Sequence, residues 1–306
     1  MDLILHLGAH RTGSTTFEKT LSKNAAVLRA EGTGVWTPAK VRQIEGFSSI
    51  CGRQEQLAKG DSRSVLEAAI ARGALQDRLN QAQESGLKTL LISEENMLGT
   101  MQRNLTILQL YDNAAWRLKT YADYFDRAPK RVVMGLRSYS SYWRSAYIFA
   151  LRKRPETLFS NISYELATQP LGWCDLVQGV RKAFPEAEIC LWTQEGFRNK
   201  ELGIIAKALG RQNADGLEAL NREANIGLGV ADIPYIFRAR RHKAEIADKE
   251  LDRHIQRNRA RGVVLPEPAM FTQDQDALMD AKYAEDIAKL RAGYLGARML
   301  DEGAAA

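Results

Sequence analysis

The chain has 306 residues, of which 45% are hydrophobic and 26% are charged, and its formal net charge at pH 7 is +6. These fractions are those of an ordinary globular protein that is long enough for one large α/β domain or two small ones. They exclude a membrane-spanning class, because the longest apolar runs, such as residues 132–136, are strand-sized and a spanning helix needs about 20 residues. The positive net charge is compatible with two classes of protein, an enzyme that binds an anion and a nucleic-acid-binding protein.

The N-terminal residues and the cysteines indicate the cellular compartment of the protein. Residues 3–7 begin a strand at once, without the basic start, long apolar stretch and small-residue cleavage site of a secretory signal. Cys51, Cys174 and Cys190 are few and widely spaced, which is typical of free thiols in a reducing compartment. We therefore expect a cytoplasmic protein.

Short apolar runs alternate with longer helical patterns, which predicts an α/β fold built around a mostly parallel sheet flanked by helices. Strands are predicted at residues 2–7, 88–93, 131–136 and 188–193. Helices are predicted at residues 14–30, 65–85, 105–125, 139–154, 171–184 and 200–209, and the pattern after residue 221 is wholly helical, at 233–258 and 274–295. We predict one domain over residues 1–302, with a helical C-terminal part at about residues 222–298.

The first strand runs into a loop of glycine, serine and threonine that opens a helix, with the sequence His10-Arg11-Thr12-Gly13-Ser14-Thr15-Thr16. Such a turn is a candidate anion site, because its backbone N–H groups converge and the helix dipole adds a partial positive charge. Gly8 and Gly13 have the spacing of the P-loop glycines, and Thr15 stands at the P-loop Ser/Thr, but Ser14 replaces the P-loop lysine. The alternative is a turn that uses these residues only to cap the helix.

The missing lysine distinguishes two kinds of group transfer. A kinase or nucleoside triphosphatase uses that lysine together with Mg²⁺, which a strand-end aspartate helps to hold, and no predicted strand ends in aspartate. A sulfonate carries less charge than a terminal phosphate, so its transfer needs donors on the 5′-phosphate and one cation near the bridging oxygen. Arg11, at the apex of the loop, is the candidate cation.

The segment from His10 to Thr16 resembles the 5′-phosphosulfate-binding loop of the sulfotransferase family, and the preceding residues from Leu5 resemble its bacterial members. The resemblance implies a P-loop-NTPase-like fold and, as co-substrate, 3′-phosphoadenosine 5′-phosphosulfate (PAPS), with no metal. The residues that it assigns to PAPS binding in this loop are Arg11, Thr12, Gly13, Ser14, Thr15 and Thr16. Arg11 stands where most members have lysine, which leaves two roles open: the catalytic cation that stabilises charge on the departing 5′-phosphate, or mainly a binding group.

The second predicted strand ends in Glu94 and Glu95, at the edge where open α/β sheets bind ligands. Transfer to a hydroxyl benefits from a general base, and the resemblance favours Glu95 over Glu94 because bacterial members have Ser-x-Glu here. His10, in the loop, is a rival catalytic residue, whereas we expect His6 to be packed and hydrogen-bonded. The alternative is that the two glutamates are solvated loop acids.

The third predicted strand ends in Arg137, and Ser145 follows eight positions later on a helix. A guanidinium and a hydroxyl in this arrangement fit a single phosphate group. In sulfotransferases an arginine and a serine so placed hold the 3′-phosphate of the co-substrate, and the resemblance implies this role for Arg137 and Ser145. The alternative is a solvated strand end with an incidental serine downstream.

A basic cluster lies in the C-terminal part, at Arg238, Arg240, Arg241, His242, Lys243, Arg253, Arg257, Arg259 and Arg261. We expect the solvated face of a helix, and the alternative is a surface for an anionic acceptor.

The sequence therefore predicts a sulfotransferase that moves a sulfonate group from PAPS to an acceptor hydroxyl, which by family resemblance belongs to a saccharide or glycolipid. No nucleic acid is expected as a partner. Two alternatives stay open: a Mg²⁺-dependent P-loop kinase or nucleoside triphosphatase, and a non-enzymatic basic protein that binds nucleic acid through its helical C-terminal half.

Overall fold

The computed structural model describes residues 1–52, 63–153, 158–220, 232–242, 246–260 and 269–302. At its centre is a six-stranded sheet in which all neighbouring strands are parallel, in the order β2-β3-β1-β4-β5-β6. The strands are β1 Asp2–His6, β2 Thr33–Trp36, β3 Thr89–Ser93, β4 Arg131–Leu136, β5 Glu188–Thr193 and β6 Ala297–Met299. The predicted α/β fold with a mostly parallel sheet is confirmed.

Helices cover both faces of the sheet. In chain order they are α1 Ser14–Lys23, α2 Ala25–Ala30, α3 Pro38–Val41, α4 Arg63–Glu84, α5 Met101–Ile107, α6 Ala114–Ala122, α7 Tyr139–Ala150, α8 Ser163–Thr168, α9 Trp173–Ala183, α10 Gln194–Ala208, α11 Ile233–Arg240, α12 Asp248–Ala260 and α13 Gln273–Arg291. No helix among the described residues is both long enough and apolar enough to cross a membrane. All three cysteines are free thiols.

The strands are buried on both faces, so successive residues point into two different apolar clusters. On β1, Leu3 and Leu5 belong to the larger cluster, which contains side chains of α4, α6, α7, α9 and α13. Ile4, between them, belongs to the smaller cluster, which contains Phe17 of α1 and side chains of α2 and α10. The sheet is thus packed between two helical layers, and α1, which follows the glycine loop, lies on the thinner side.

The strand order determines where a ligand site can form. The chain places β2 and β3 on one side of β1 and then β4, β5 and β6 on the other side. Open parallel sheets bind ligands outside the carboxyl ends of the strands where the winding direction reverses, which here is beside β1. The register pairs His6 with Ser93 of β3 and with Val133 of β4, so the segments that follow β1, β3 and β4 emerge at one edge.

Two strands were not predicted. Strand β2 has four residues, including Gly34, and β6 has three, so neither is long enough to show an apolar period. The prediction that the chain is wholly helical after residue 221 is wrong at β6, because Ala297–Met299 pairs with β5 as an edge strand.

Three predicted helices are shorter or interrupted. The helix predicted at 14–30 is divided at Asn24, whose side-chain amide donates to the Thr20 carbonyl at 2.8 Å and so satisfies the end of α1. The helix predicted at 105–125 is divided between α5 and α6, where Leu108 and Tyr111 have φ of 56° and 50°. The helix predicted at 233–258 is described as α11 and α12, with residues 243–245 between them outside the described part.

Candidate functional site

The loop between β1 and α1 is closed on itself by hydrogen bonds to one carbonyl. The Ala9 carbonyl accepts from the Thr12 backbone N–H at 3.3 Å, from Thr12 Oγ1 at 2.6 Å and from Ser14 Oγ at 3.2 Å. The turn requires left-handed backbone at Gly8, Arg11 and Gly13, with φ of 46°, 64° and 99°. Arg11 is the non-glycine residue among them, and such a conformation costs about 1–3 kcal/mol.

Ser14, at the position of the P-loop lysine, points into the loop and is 5% exposed. A Cβ at Gly8 would lie 3.1 Å from Ser14 Oγ, so the Ser14 side chain packs closely against Gly8. Beside it, the backbone N–H groups of Gly13, Ser14 and Thr15 donate to no acceptor among the described residues. The loop therefore offers an anion three backbone donors at the start of α1.

The Arg11 side chain lies between the loop and α7. Its Nε donates to Ser145 Oγ at 2.9 Å, and its guanidinium carbon is 5.0 Å from the centre of the Phe149 ring. Burial lowers the pKa of Arg11, and the nearby Glu95 carboxylate counteracts that shift. An arginine remains charged in such surroundings, so a cation is held beside the three free backbone donors.

Arg137, at the end of β4, is fixed to the same loop. Its Nη1 donates to the Arg11 carbonyl at 2.8 Å, and its own carbonyl accepts from Trp173 Nε1 at 2.9 Å. The loop approaches β4 closely because position 135 is glycine: a Cβ there would lie 3.0 Å from Thr12 Oγ1 and 3.1 Å from the Thr12 carbonyl. Arg137 and Ser145, predicted to form one phosphate site, thus both contact Arg11.

The two glutamates after β3 have different environments. Glu94 is 2% exposed, and its two carboxylate oxygens accept from Arg42 Nε and Nη2, both at 2.8 Å. One of these oxygens also accepts from the Asn96 backbone N–H at 2.9 Å. Glu94 is therefore fully engaged in holding β3 to the segment after α3. The alternative of two solvated acids is wrong for Glu94.

The Glu95 side chain is 30% exposed and faces the loop. Its Oε1 lies 3.7 Å from Arg42 Nη2 and 3.9 Å from His10 Nε2. Burial and then the charge of Glu94 raise the pKa of Glu95, while Arg42 and Arg11 act in the opposite direction. A carboxylate with a raised pKa holds a proton more strongly, which is the property required of a general base.

His10 is a neutral residue at physiological pH, since burial lowers its pKa to about 4, with further lowering by Arg11 and Arg42. The Tyr111 hydroxyl accepts from the His10 backbone N–H at 2.8 Å and lies 2.9 Å from His10 Nδ1. These contacts hold His10 Nδ1 towards Tyr111 and leave Nε2 on the side of Glu95.

A hydrogen-bonded chain runs behind the site from β1 to α1. His6 Nδ1 is 2.7 Å from Ser93 Oγ, and Ser93 Oγ donates to Glu18 Oε1 at 2.7 Å. Burial lowers the pKa of His6 to about 3 and raises that of Glu18 to about 7. The expectation that His6 is packed and hydrogen-bonded is confirmed, because its ring also lies 4.2 Å from that of Phe17.

The C-terminal basic cluster is only partly solvated. Arg238, Arg241 and His242 are exposed, but Arg240 is 8% exposed and its Nη1 donates to the Leu151 carbonyl at 2.7 Å. The expectation of a solvated helix face therefore agrees with Arg238, Arg241 and His242 and is wrong at Arg240. Lys243 and Arg261 lie outside the described residues, as does the Arg259 side chain.

Within the described part of the chain, no group of three or more His, Cys, Asp or Glu side chains is arranged to hold a metal ion.

The structure thus brings together Arg11, His10, Glu95, Arg137 and Ser145, all of which were predicted from sequence. The residues that sequence reasoning missed are Glu18, Arg42 and Tyr111. Glu18 lies four residues after Ser14 and so one turn along the same helix, which was a usable signal. Nothing in the neighbouring sequence identifies Arg42 or Tyr111 as site residues.

No family model, no curated protein and no solved structure matches the chain.

Proposed function

We propose that this protein is a sulfotransferase, which moves a sulfonate group from PAPS to the hydroxyl of a saccharide or glycolipid. The observation that carries the proposal is the environment of Arg11. Its guanidinium is bonded to the neutral hydroxyl of Ser145 and lies on a loop whose Gly13, Ser14 and Thr15 amides remain available. A positive charge and aligned backbone donors at one helix start favour an anion.

The second phosphate of PAPS fits the same surroundings. Arg137 presents a fork of donors and uses Nη1 for the Arg11 carbonyl. Ser145, which accepts from Arg11, has its own hydroxyl proton to donate. The 5′-phosphosulfate is assigned to the loop from Arg11 to Thr16, and the 3′-phosphate to Arg137 and Ser145.

In the transfer step, the acceptor oxygen forms a bond to sulfur while the bond from sulfur to the 5′-phosphate oxygen breaks. The electron pair of that bond leaves on the phosphate, where Arg11 stabilises the new charge. The acceptor's proton passes to Glu95, whose raised pKa suits it to this role. His10, neutral and with its Nε2 side towards Glu95, orients the carboxylate or the acceptor.

The proposed acceptor class, saccharide or glycolipid, and the proposed cytoplasmic compartment rest on the sequence pattern. The absence of a lysine at position 14 supports sulfonate transfer over the Mg²⁺-dependent kinase alternative.

The decisive experiment is isothermal titration calorimetry with 3′-phosphoadenosine 5′-phosphate, AMP and ATP–Mg²⁺ in parallel. The bisphosphate should bind about 10- to 100-fold more tightly than AMP, because the 3′-phosphate adds charge-assisted hydrogen bonds. Arg137→Ala should abolish the preference for the bisphosphate while retaining AMP binding. Arg11→Ala should weaken the binding of both ligands. Arg103→Ala is the matched control, because it removes an arginine of α5 that is paired with Asp112, and it should change the binding of neither ligand.

Tighter binding of ATP–Mg²⁺ than of the bisphosphate would overturn the proposal in favour of a kinase. Binding of no nucleotide by a folded sample would favour the nucleic-acid-binding alternative.

A further inference from the structure

A second basic region lies at the open edge of the sheet, along β2. Here a cavity of about 490 Å³ is lined by β2 itself and by residues of α2, α3 and α4. We call it the edge cavity. Loop residues from Gly8 to Thr16 do not line it, so it is separate from the candidate site described above.

Three cations surround the edge cavity, and each comes from a different helix: Arg29 from α2, Lys40 from α3 and Arg78 from α4. No aspartate or glutamate is among the lining residues. None of the three cations forms an ion pair with a carboxylate of the described part of the chain. The polar contact of the Arg29 guanidinium is with a neutral group, the Ser85 carbonyl, at 3.1 Å.

The three charges are close enough to affect one another. Burial lowers the pKa of Lys40, and Arg29 and Arg78 lower it further. Like charges that lie close together without a counter-charge destabilise the protein. An anion bound between them would offset this repulsion by attracting all three cations. The edge cavity therefore has the electrostatics of an anion site.

The size and walls of the edge cavity indicate an organic anion larger than a single inorganic ion. Its volume lies within the range of small-molecule sites, about 300–1,000 Å³. The Trp36 ring forms part of the wall, with Lys40 Nζ 5.6 Å from its centre, and Gln81 and Thr33 add neutral hydrogen-bonding groups. Aromatic, amide and hydroxyl groups together with cations suit a sugar that carries charged esters.

We propose that the edge cavity binds a saccharide bearing two or three sulfate or phosphate esters. Two or three negative charges would neutralise Arg29, Lys40 and Arg78, and the sugar ring would occupy the volume beside Trp36. The proposal does not depend on PAPS chemistry at the loop, because no residue of the loop takes part.

The test is calorimetric titration of the full chain with a trisulfated heparin disaccharide, with fructose 1,6-bisphosphate and with maltose as the uncharged control. We expect saturable binding of at least one charged sugar and none of maltose. The preferred charged sugar identifies the ester as sulfate or phosphate. Added salt should weaken binding, since exposed charges are screened.

Single substitutions test whether the charged sugar binds in the edge cavity. Arg78→Ala and Lys40→Ala should each weaken binding about 10-fold, the value expected for loss of one charge-assisted hydrogen bond. Lys119→Ala removes one exposed charge on α6, outside the lining, and should leave it unchanged. Arg11→Ala should also leave it unchanged, which separates this site from the loop. Absence of saturable binding by both charged sugars, or equal weakening in Lys119→Ala, would overturn the proposal.

Discussion

The candidate site has two sides with opposite electrostatic balance. On the cation side, Arg11 and Arg137 are held by neutral acceptors, the Ser145 hydroxyl and the Arg11 carbonyl. On the carboxylate side, Glu18, Glu94 and Glu95 lie near Arg42, which is bonded to Glu94, and Arg11 also acts on Glu95 from the cation side. The cation side therefore keeps its positive charge, and the carboxylate side has more acids than cations.

This difference assigns a separate chemical task to each side. An arginine held by neutral acceptors beside free backbone donors binds an anion. Burial, and then the charges of the neighbouring acids, raise the pKa values of Glu18 and Glu95, so these carboxylates hold protons more tightly. The comparison predicts that substitutions on one side change ligand affinity and that substitutions on the other change proton transfer.

The largest expected effect is that of Glu95→Gln on the transfer rate. If Glu95 is the general base that we propose, its removal should lower kcat by about 10²- to 10⁴-fold, while the affinity for 3′-phosphoadenosine 5′-phosphate should remain within about twofold. The measurements are steady-state kinetics of the proposed sulfonate transfer and calorimetry for the bisphosphate. Glu94→Gln is the matched variant and should mainly lower stability, because Glu94 bonds to Arg42. An unchanged kcat in Glu95→Gln would contradict the assignment of proton transfer to the carboxylate side.

The next effect concerns the contact that positions the cation side. Gly135→Ala should destabilise the protein by about 1–3 kcal/mol, because the new methyl group would meet Trp192 Nε1 at 2.9 Å and the Thr12 side chain at 3.0 Å. Gly73→Ala is the matched control. Its Cβ would have no neighbour within 4 Å on α4, so it should stabilise by about 0.5–1 kcal/mol. Urea denaturation measures both, and equal effects of the two substitutions would contradict the packing argument.

The cation side was predictable from the sequence to a greater extent than the carboxylate side. Strands β4 and β5 were predicted with the observed bounds because both are continuous apolar runs buried on two faces. The glycine loop, Arg137 and Ser145 follow or adjoin strand ends, where parallel sheets collect ligand-binding groups. These features are local in the chain, and their positions in the fold follow from strand order.

The carboxylate side depends on contacts between distant parts of the chain. Arg42 reaches Glu94 across 52 positions, Ser93 reaches Glu18 across 75, and Tyr111 reaches His10 across 101. Arg42 is positioned by β2, a strand too short to be predicted, and Tyr111 by a break in a helix predicted to be continuous. The pairing that distinguishes Glu94 from Glu95 could therefore not be read from the sequence.

The smallest expected effect is a change in the pH dependence of stability in Glu18→Gln. The pKa of Glu18 is raised to about 7 in the folded protein, mainly by burial, from an ordinary value of 4.5. Between these values the folded state binds more protons than the unfolded state, so the contribution of Glu18 to stability falls as pH rises. Glutamine does not titrate, so the variant should gain stability relative to wild type from pH 4.5 to 7. Chemical denaturation at several pH values measures this difference directly.

His6 and His10 change stability in the opposite direction over part of the same range, because burial lowers both of their pKa values. The wild-type curve alone therefore does not isolate Glu18, and the difference between variant and wild type does. Ser93→Ala supplies a second variant, because the Ser93 hydrogen bond lowers the pKa of Glu18 and its loss should raise that pKa further. Parallel stability curves for wild type and Glu18→Gln would mean that Glu18 carries no excess proton in the folded protein, and Glu95 would remain the candidate proton acceptor on the carboxylate side.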